Sequence, residues 1–314
     1  YIAVYVDDLA IASKNPKAIE EILIMIHKFK LKGGPLTYHL GCDFTRDPDG
    51  TLVFGPRRYI DKMLANYVQR FGVEPTQFKS PLERNDHPEV DTSPLLDGED
   101  ITIYQSLIGA LQWCVTLGRF DIMTPVMTMA SFRAAPRVGH LDRLKRIYGY
   151  LRKHKSGAIR VRTGQPDYTQ DEHVDYDWMR TVYGKVQELI PEDLPIPLGL
   201  PVITTTYEDA NLYHDLMTGR AVTGILHFVN GTPVEWFSKR QDTVETATYG
   251  SEFVAARIAT TRYRHQKHCV SLPARSRQIF LRHVLNLDTH YGNGCFRYRP
   301  VRIILGNDID LLSC

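Results

Sequence analysis

Two adjacent aspartates, Asp7 and Asp8, stand between two apolar runs, residues 1–6 and 9–12. Runs rich in Val, Ile and Tyr favour strands, and an Asp-Asp step between them favours a tight turn. Two carboxylates at the tip of such a hairpin make a hard-oxygen site suited to Mg²⁺ or Mn²⁺. Asp is also a common turn residue, so the pair by itself is more often a turn than a metal site. The second chemical feature is cationic. Nine Lys or Arg and one acid, Asp142, lie between Arg137 and Arg162. Leu141, Leu144, Ile147, Tyr148 and Leu151 recur there at three- and four-residue spacing, which predicts an amphipathic helix with a basic outer face. Arg143, Arg146, Arg152 and Lys153 could track nucleic-acid phosphates from that face. A solvated basic helix fits the same pattern.

The elements that would position these groups follow from local pattern. Asn15-Pro16 is a helix start, with Asn as cap and Pro in the first turn. The helix runs to about Lys30, with Ile19, Ile22, Leu23, Ile26 and Phe29 inward, and Gly33-Gly34 ends it. A second hairpin is expected over residues 36–45 and 51–54, turned by Asp47-Pro48-Asp49-Gly50. Helices dominate residues 56–155, the first with Tyr59, Met63, Tyr67 and Phe71 on one face. Between residues 165 and 200 eight acids oppose Arg180 and Lys185, and four prolines cluster at the end or just past it. That composition reads as a linker, with a short helix around Trp178, Met179, Val182 and Val186.

Beyond it, an apolar, β-branched run ends at Asp209 and reads as a strand. Residues 221–229 and 233–237 read as two more, joined by Asn230-Gly231, a strong short hairpin signal. Residues 243–259 read as a helix that carries Glu252. Periodicity fades after about Thr260. Arg262-Tyr263-Arg264-His265-Gln266-Lys267-His268-Cys269 breaks the helical pattern. Residues 261–300 hold eight Lys or Arg, four His and one acid. Val301 to Leu305 could form a strand. His265, His268 and Cys269 lack the second paired half of a zinc site.

Several of these segments resemble the Ty1/copia class of retrotransposon polyproteins. Tyr5-Val6-Asp7-Asp8-Leu9 is similar to the catalytic hairpin of reverse transcriptases. Leu36-Thr37-Tyr38-His39-Leu40-Gly41, Arg58-Tyr59-Ile60, Tyr104-Gln105-Ser106-Leu107-Ile108-Gly109, Arg119-Phe120-Asp121-Ile122, and Arg146-Ile147-Tyr148-Gly149-Tyr150-Leu151 follow in the family's order. Phe120 stands where the family has Pro. Tyr207-Glu208-Asp209-Ala210, Thr223-Gly224, Trp236-Phe237-Ser238-Lys239-Arg240-Gln241 and Ser251-Glu252-Phe253 resemble its ribonuclease H segment. The resemblance covers residues 1 to about 260.

The resemblance implies an α+β chain with four parts. Residues 1–56 would be part of a reverse transcriptase palm, 57–163 a helical thumb-like region, 164–200 an acidic, Pro-rich linker, and 201–314 a ribonuclease H-like α/β domain with a mixed sheet. It implies two-metal chemistry with Mg²⁺ or Mn²⁺. Asp7 and Asp8 would serve the polymerase, and Asp209 and Glu252 the ribonuclease H. Asp308 would stand in as the third ribonuclease H carboxylate. The implied partners are an RNA–DNA hybrid or a template–primer duplex, and the remainder of a retrotransposon polyprotein. The sequence begins at the aspartate turn. A third palm aspartate and the nucleotide-binding residues are therefore expected elsewhere, and this chain alone is expected not to polymerise. A nucleic-acid-binding remnant without catalysis, or a decayed element with no selected function, fits the same residues. After residue 260, a frame change and true divergence both remain open.

Composition bounds the rest. The chain has 314 residues, 43% of them hydrophobic, with a formal charge of +2. That length suffices for two domains with separate cores. No apolar run approaches the roughly 18 residues of a membrane span. Five widely spaced cysteines argue against a disulfide framework and for a reducing compartment, so the expected location is intracellular, cytoplasm or nucleus, and not secreted.

Overall fold

A computed structural model describes residues 2–5, 8–13, 15–27, 34–164, 199–271, 274–283 and 301–305. The architecture is mixed, with helices and mainly antiparallel sheets. Strands β1 (Ile2–Tyr5) and β2 (Asp8–Ile11) form an antiparallel hairpin in which Tyr5 opposes Asp8. Helix α1 (Pro16–His27) follows. Asn15 caps it as its sequence suggests: its Oδ1 accepts from the Ala18 amide at 3.3 Å.

A four-stranded sheet comes next: β3 (Tyr38–His39), β4 (Cys42–Arg46), β5 (Leu52–Gly55) and the later β6 (Ile159–Arg160). The β4–β5 turn closes where the Gly50 amide donates to the Asp47 carbonyl at 2.9 Å. Helices α2 (Arg57–Phe71), α3 (Gly98–Thr116), α4 (Met123–Ala130) and α5 (Val138–Lys153) pack around one core. Its centre is dry: Ile60, Tyr104, Leu111, Cys114, Val126, Met129, Leu144, Ile147 and Leu151 are 0% exposed. The α5 stripe read from the sequence, Leu141 to Leu151, is buried throughout. Truncating one such Leu to Ala typically costs about 2–5 kcal/mol, from lost transfer energy plus the cavity.

A five-stranded sheet forms the C-terminal half, in the order β11-β10-β7-β8-β9. Its strands are β7 (Gly199–Asp215), β8 (Arg220–Val229), β9 (Thr232–Arg240), β10 (Ala274–His283) and β11 (Val301–Leu305). Only β10 and β7 run parallel, so the sheet is mixed. The β8–β9 turn is Asn230-Gly231, with φ of 47° and 77°. A two-residue turn of that hand requires positive φ at both positions, and Asn-Gly adopts it at low cost. Helix α6 (Thr248–Ser271) lies between β9 and β10 in sequence and packs on β7 and β8.

Two readings from the sequence need correction here. Residues 262–269 do not break the helix, because α6 runs through Ser271. Arg262 looks like a breaker of the apolar pattern, yet it has a partner across the fold. Its Nη2 donates to Glu235 Oε1 at 2.6 Å, and its guanidinium lies 4.2 Å from the Phe237 ring centre. The stretch after 261 also contributes β10, where no strand was expected; β11 coincides with the short apolar run noted at 301–305. The acidic linker and the short helix expected near Trp178 lie outside the described residues.

Sheet and helical region meet along β9. Trp236 Nε1 donates to the Val115 carbonyl at 3.0 Å, and its ring lies 5.6 Å from that of Phe120. Thr124 and Ser238 hydroxyls meet at 3.2 Å. At the other end the Arg162 amide donates to Thr232 Oγ1 at 2.6 Å. These contacts fix the β8–β9 hairpin against the turn after α3.

His227 on β8 is a buried polar group inside this sheet, 2% exposed. Its Nδ1 faces Thr206 Oγ1 at 2.6 Å. Burial lowers its pKa to about 4, partly opposed by the nearby Glu235 carboxylate and reinforced by Arg262. A histidine depressed in the folded state stabilises fully above its unfolded pKa near 6.5, and that stability is lost as pH falls through about 4. Thermal melts between pH 7 and pH 4 are expected to lose on the order of 3 kcal/mol through this group. In His227→Gln the acid-side loss should shrink. An unchanged acid limb would show that His227 is not the group responsible.

Candidate carboxylate and nucleic-acid sites

Asp209 lies on β7 and Glu252 in the first turns of α6. The helix crosses the sheet so that the two carboxylates become neighbours. Glu252 is 4% exposed, and its carboxyl lies against the Asp209 side chain and the Ala210 amide. Burial first, then the charges of Asp209 and Glu208, push its pKa up to about 8. Asp209 is raised as well, by burial, while the Ala210 amide and the Glu252 carboxyl pull it down. The physical cause is simple: two carboxylates in one desolvated place cannot both ionise cheaply, so one holds a proton. A divalent cation is the other way to satisfy them, and two hard oxygen donors from two elements fit Mg²⁺ or Mn²⁺. Among the described residues no group of three or more His, Cys, Asp or Glu side chains is placed to hold a metal. The described part of the site is therefore a pair.

The surroundings of the pair are ordered by Gln241. This side chain is 2% exposed and its Nε2 donates to Thr223 Oγ1 at 3.0 Å and to the Ser251 carbonyl at 2.8 Å. It thus ties the end of β9 to the residue before Glu252. Tyr249 is not singled out by the sequence, and the helical spacing places Phe253 on the apolar side of the helix; neither is buried. They are 77% and 62% exposed, with ring centres 6.5 Å apart at 19°, and they flank Glu252 on α6. Their i, i+4 spacing was the available signal, but an apolar residue on an amphipathic helix is normally assigned inward.

The other predicted residues divide sharply. Asp8 is exposed at the start of β2, opposite Tyr5. Asp7 lies outside the described residues, and so does Asp308. The basic face of α5 does not lie open. Arg143 binds Asp86 through Nη2 at 2.7 Å and Asp91 through Nη1 at 2.6 Å. Arg146 meets Glu83 at 3.0 Å and lies 4.3 Å from the Phe78 ring centre. Arg152 pairs with Glu74 and donates to the Pro75 carbonyl. Lys153 alone of the four is exposed with no ion pair among the described residues. The acids come from residues 74–91, which run along α5. Gly149 permits that course: a side chain there would collide with the Thr76 carbonyl and the Phe78 ring. Counting charge along one helix missed acids more than fifty residues earlier in the chain.

Comparison with known proteins agrees with the order of motifs. A transposon Ty5-1 protein of Saccharomyces cerevisiae is 27% identical over 260 residues, covering 82% of this chain and 71% of that protein. The Pol polyprotein from transposon RE1 of Arabidopsis thaliana is 29% identical over 180 residues, 57% of this chain and 12% of the polyprotein. That from transposon TNT 1-94 of Nicotiana tabacum is 23% identical over 263 residues, 81% of this chain. The chain is a relative of Ty1/copia-type retrotransposon polyproteins. It corresponds to a transposon-derived polyprotein region, and spans only 12% and 17% of the two Pol polyproteins. No family model and no solved structure matches it. Among the described residues no helix is long and apolar enough to cross a membrane.

The crowded pair makes a stability prediction. Glu252 has a folded pKa raised to about 8, so its proton stabilises the fold fully below its unfolded pKa near 4.5, and that stability is lost as pH rises through about 8. Without divalent cations, Glu252→Gln is expected to melt higher than the parent at pH 9, by up to roughly 4–5 kcal/mol, the linkage value of a pKa raised from 4.5 to about 8. At pH 5, where Glu252 is protonated, the gap should close. Equal melting at both pH values would mean that the two carboxylates do not crowd each other.

Proposed function

We propose that residues 199–271, with the strands that follow, act as a ribonuclease H-like module, and that Asp209 and Glu252 are carboxylates through which it takes Mg²⁺ or Mn²⁺. One observation carries the reading: two acids from different elements, β7 and α6, lie side by side, with Glu252 buried against Asp209. Leaving a buried carboxylate uncompensated costs several kcal/mol, so such a pair is kept for a proton or a cation. The kinship with retrotransposon Pol polyproteins supports a nucleic-acid substrate, and the proposed one is the RNA strand of an RNA–DNA hybrid. When bound, the cation would activate water and stabilise the leaving oxygen. The chain's own groups have narrower tasks. Asp209 and Glu252 hold negative charge where the cation binds. Gln241 fixes the backbone beside Glu252. Tyr249 and Phe253 offer open ring faces at the rim, where a base of the bound strand could stack.

A second reading, nucleic-acid binding without hydrolysis, is favoured by the absence of a three-ligand group among the described residues. No polymerase step is assigned to this chain. The template–primer duplex and the remainder of a polyprotein belong to the polymerase reading of Asp7 and Asp8, which needs further residues.

The two readings separate in one assay. A labelled RNA–DNA hybrid incubated with the chain and Mg²⁺ or Mn²⁺ is expected to be retained but cut at a rate near background. Robust cation-dependent cleavage that vanishes in Asp209→Asn would establish a complete site, with a third acid supplied from beyond the described residues. A hybrid that is neither retained nor cut would overturn the ribonuclease H-like reading.

A further inference from the structure

We propose that the cleft where the helical region meets the mixed sheet is a phosphate site for a nucleic-acid backbone, built from Arg119, Arg160 and Arg162. The cleft has a volume of about 510 Å³ and takes its walls from the turn after α3, from β6 and from the β8–β9 hairpin. It lies apart from the carboxylate pair and uses none of its residues.

Arg119 is the decisive residue. It is only 2% exposed, yet it carries a full charge. Asp121 holds its Nε at 2.9 Å and its Nη2 at 2.7 Å, in the fork geometry that guanidinium favours. Tyr150 donates to the same carboxylate at 2.9 Å, so Asp121 is fixed in place. The third nitrogen, Nη1, is buried and has no hydrogen-bond partner. A buried, unpaired N–H of a charged group costs more than a neutral one, at least about 1–3 kcal/mol. Packing alone does not explain it. The segment Arg119-Phe120-Asp121-Ile122 is also a motif for which neither metal site has a use.

The other two arginines are placed for the same ligand. Arg160 pairs with Asp47 at 2.8 Å, but this arginine is 62% exposed, and such surface pairs are worth about 0–1 kcal/mol and exchange readily. Arg162 is exposed, with no ion pair among the described residues. Its backbone is clamped by Thr232, whose hydroxyl accepts from the Arg162 amide at 2.6 Å and donates to its carbonyl at 3.1 Å. Two residues apart on an extended segment, these side chains share a face and can meet different phosphates of one strand. Three guanidiniums face one carboxylate, Asp121, within the lining; Asp47 and Asp49 act on Arg160 from outside it, on the exposed side that a bound strand would share. Gly157 lets β6 approach closely: a Cβ there would stand 3.0 Å from Arg119 Nε. Phe228 and Pro233 complete the wall with apolar surface suited to a sugar or base.

Anisotropy with the full chain tests the site, using a labelled RNA–DNA hybrid and a labelled single strand in EDTA. Chelation removes any contribution from a cation at Asp209 and Glu252, so failure here leaves that reading untouched, and the reverse. Arg160→Gln/Arg162→Gln spares the buried Arg119 and should fold with the parent's circular dichroism. The expected result is severalfold weaker binding and a salt dependence shallower by about one to two released ions, roughly one for each phosphate no longer neutralised. Inorganic phosphate and a nucleoside monophosphate should compete only at far higher concentration than unlabelled strand. Unchanged affinity and salt slope in the double variant would overturn the proposal. So would a mononucleotide that competes as well as the strand, since the cleft would then be a free-nucleotide site.

Discussion

The burial of Glu252 beside Asp209 is the constraint on which the C-terminal half turns. Two like charges cannot be desolvated together without a proton or a cation. Everything nearby holds the pair in that position rather than relaxing it. β7 is the central strand of its sheet: Asp209 pairs with Gly224 of β8, and its neighbour Glu208 pairs with His283 of β10, so Asp209 cannot move away without disturbing the ladder. Gln241 joins β9 to the turn of α6 that carries Glu252. Arg262, nearly three turns on, pins the same helix to β9 through Glu235. The helix is therefore tied near both ends of its described side chains, and its acid stays aimed at the strand.

The helical half shows the opposite use of charge. Arg143 is neutralised inside the fold by Asp86 and Asp91, while Arg146 and Arg152 pair at the surface with Glu83 and Glu74. They hold residues 74–91 along α5 and leave little open positive surface on that helix. Arg119, Arg160 and Arg162 collect instead at the seam with the sheet, Arg119 held by Asp121, Arg160 by Asp47, and Arg162 with no ion pair among the described residues. Because Trp236, Ser238 and Thr232 fasten β9 and its turn to the helical half, that seam is a fixed surface.

Local chemistry was legible in the sequence wherever short range decides. Asn15 as a cap, Asn230-Gly231 as a turn and the apolar stripe of α5 each follow from the nearest few residues. Asp209 on a strand and Glu252 on a helix were also legible, because the strand–hairpin–helix pattern and the motif order agreed. Long-range pairing was not. The α5 arginines looked solvent-facing because their acids lie 52 to 78 residues away. Arg262 looked like a helix breaker because its partner sits on β9. Phe253 looked like core because helical spacing cannot tell an inward aromatic from one left open. The orphaned nitrogen of Arg119 has no sequence signature at all; it appears only when the walls around it are assembled.

The claim that most needs a direct measurement is that the crowded carboxylates form a cation site. Titration of Mn²⁺ into the full chain at pH 8, followed by the paramagnetic resonance of the free ion, reads it without reference to catalysis. The account predicts one saturable site that weakens at least tenfold in Asp209→Asn and is competed by Mg²⁺. Mn²⁺ binding that is absent at millimolar concentration, or that is unchanged in Asp209→Asn, would contradict it.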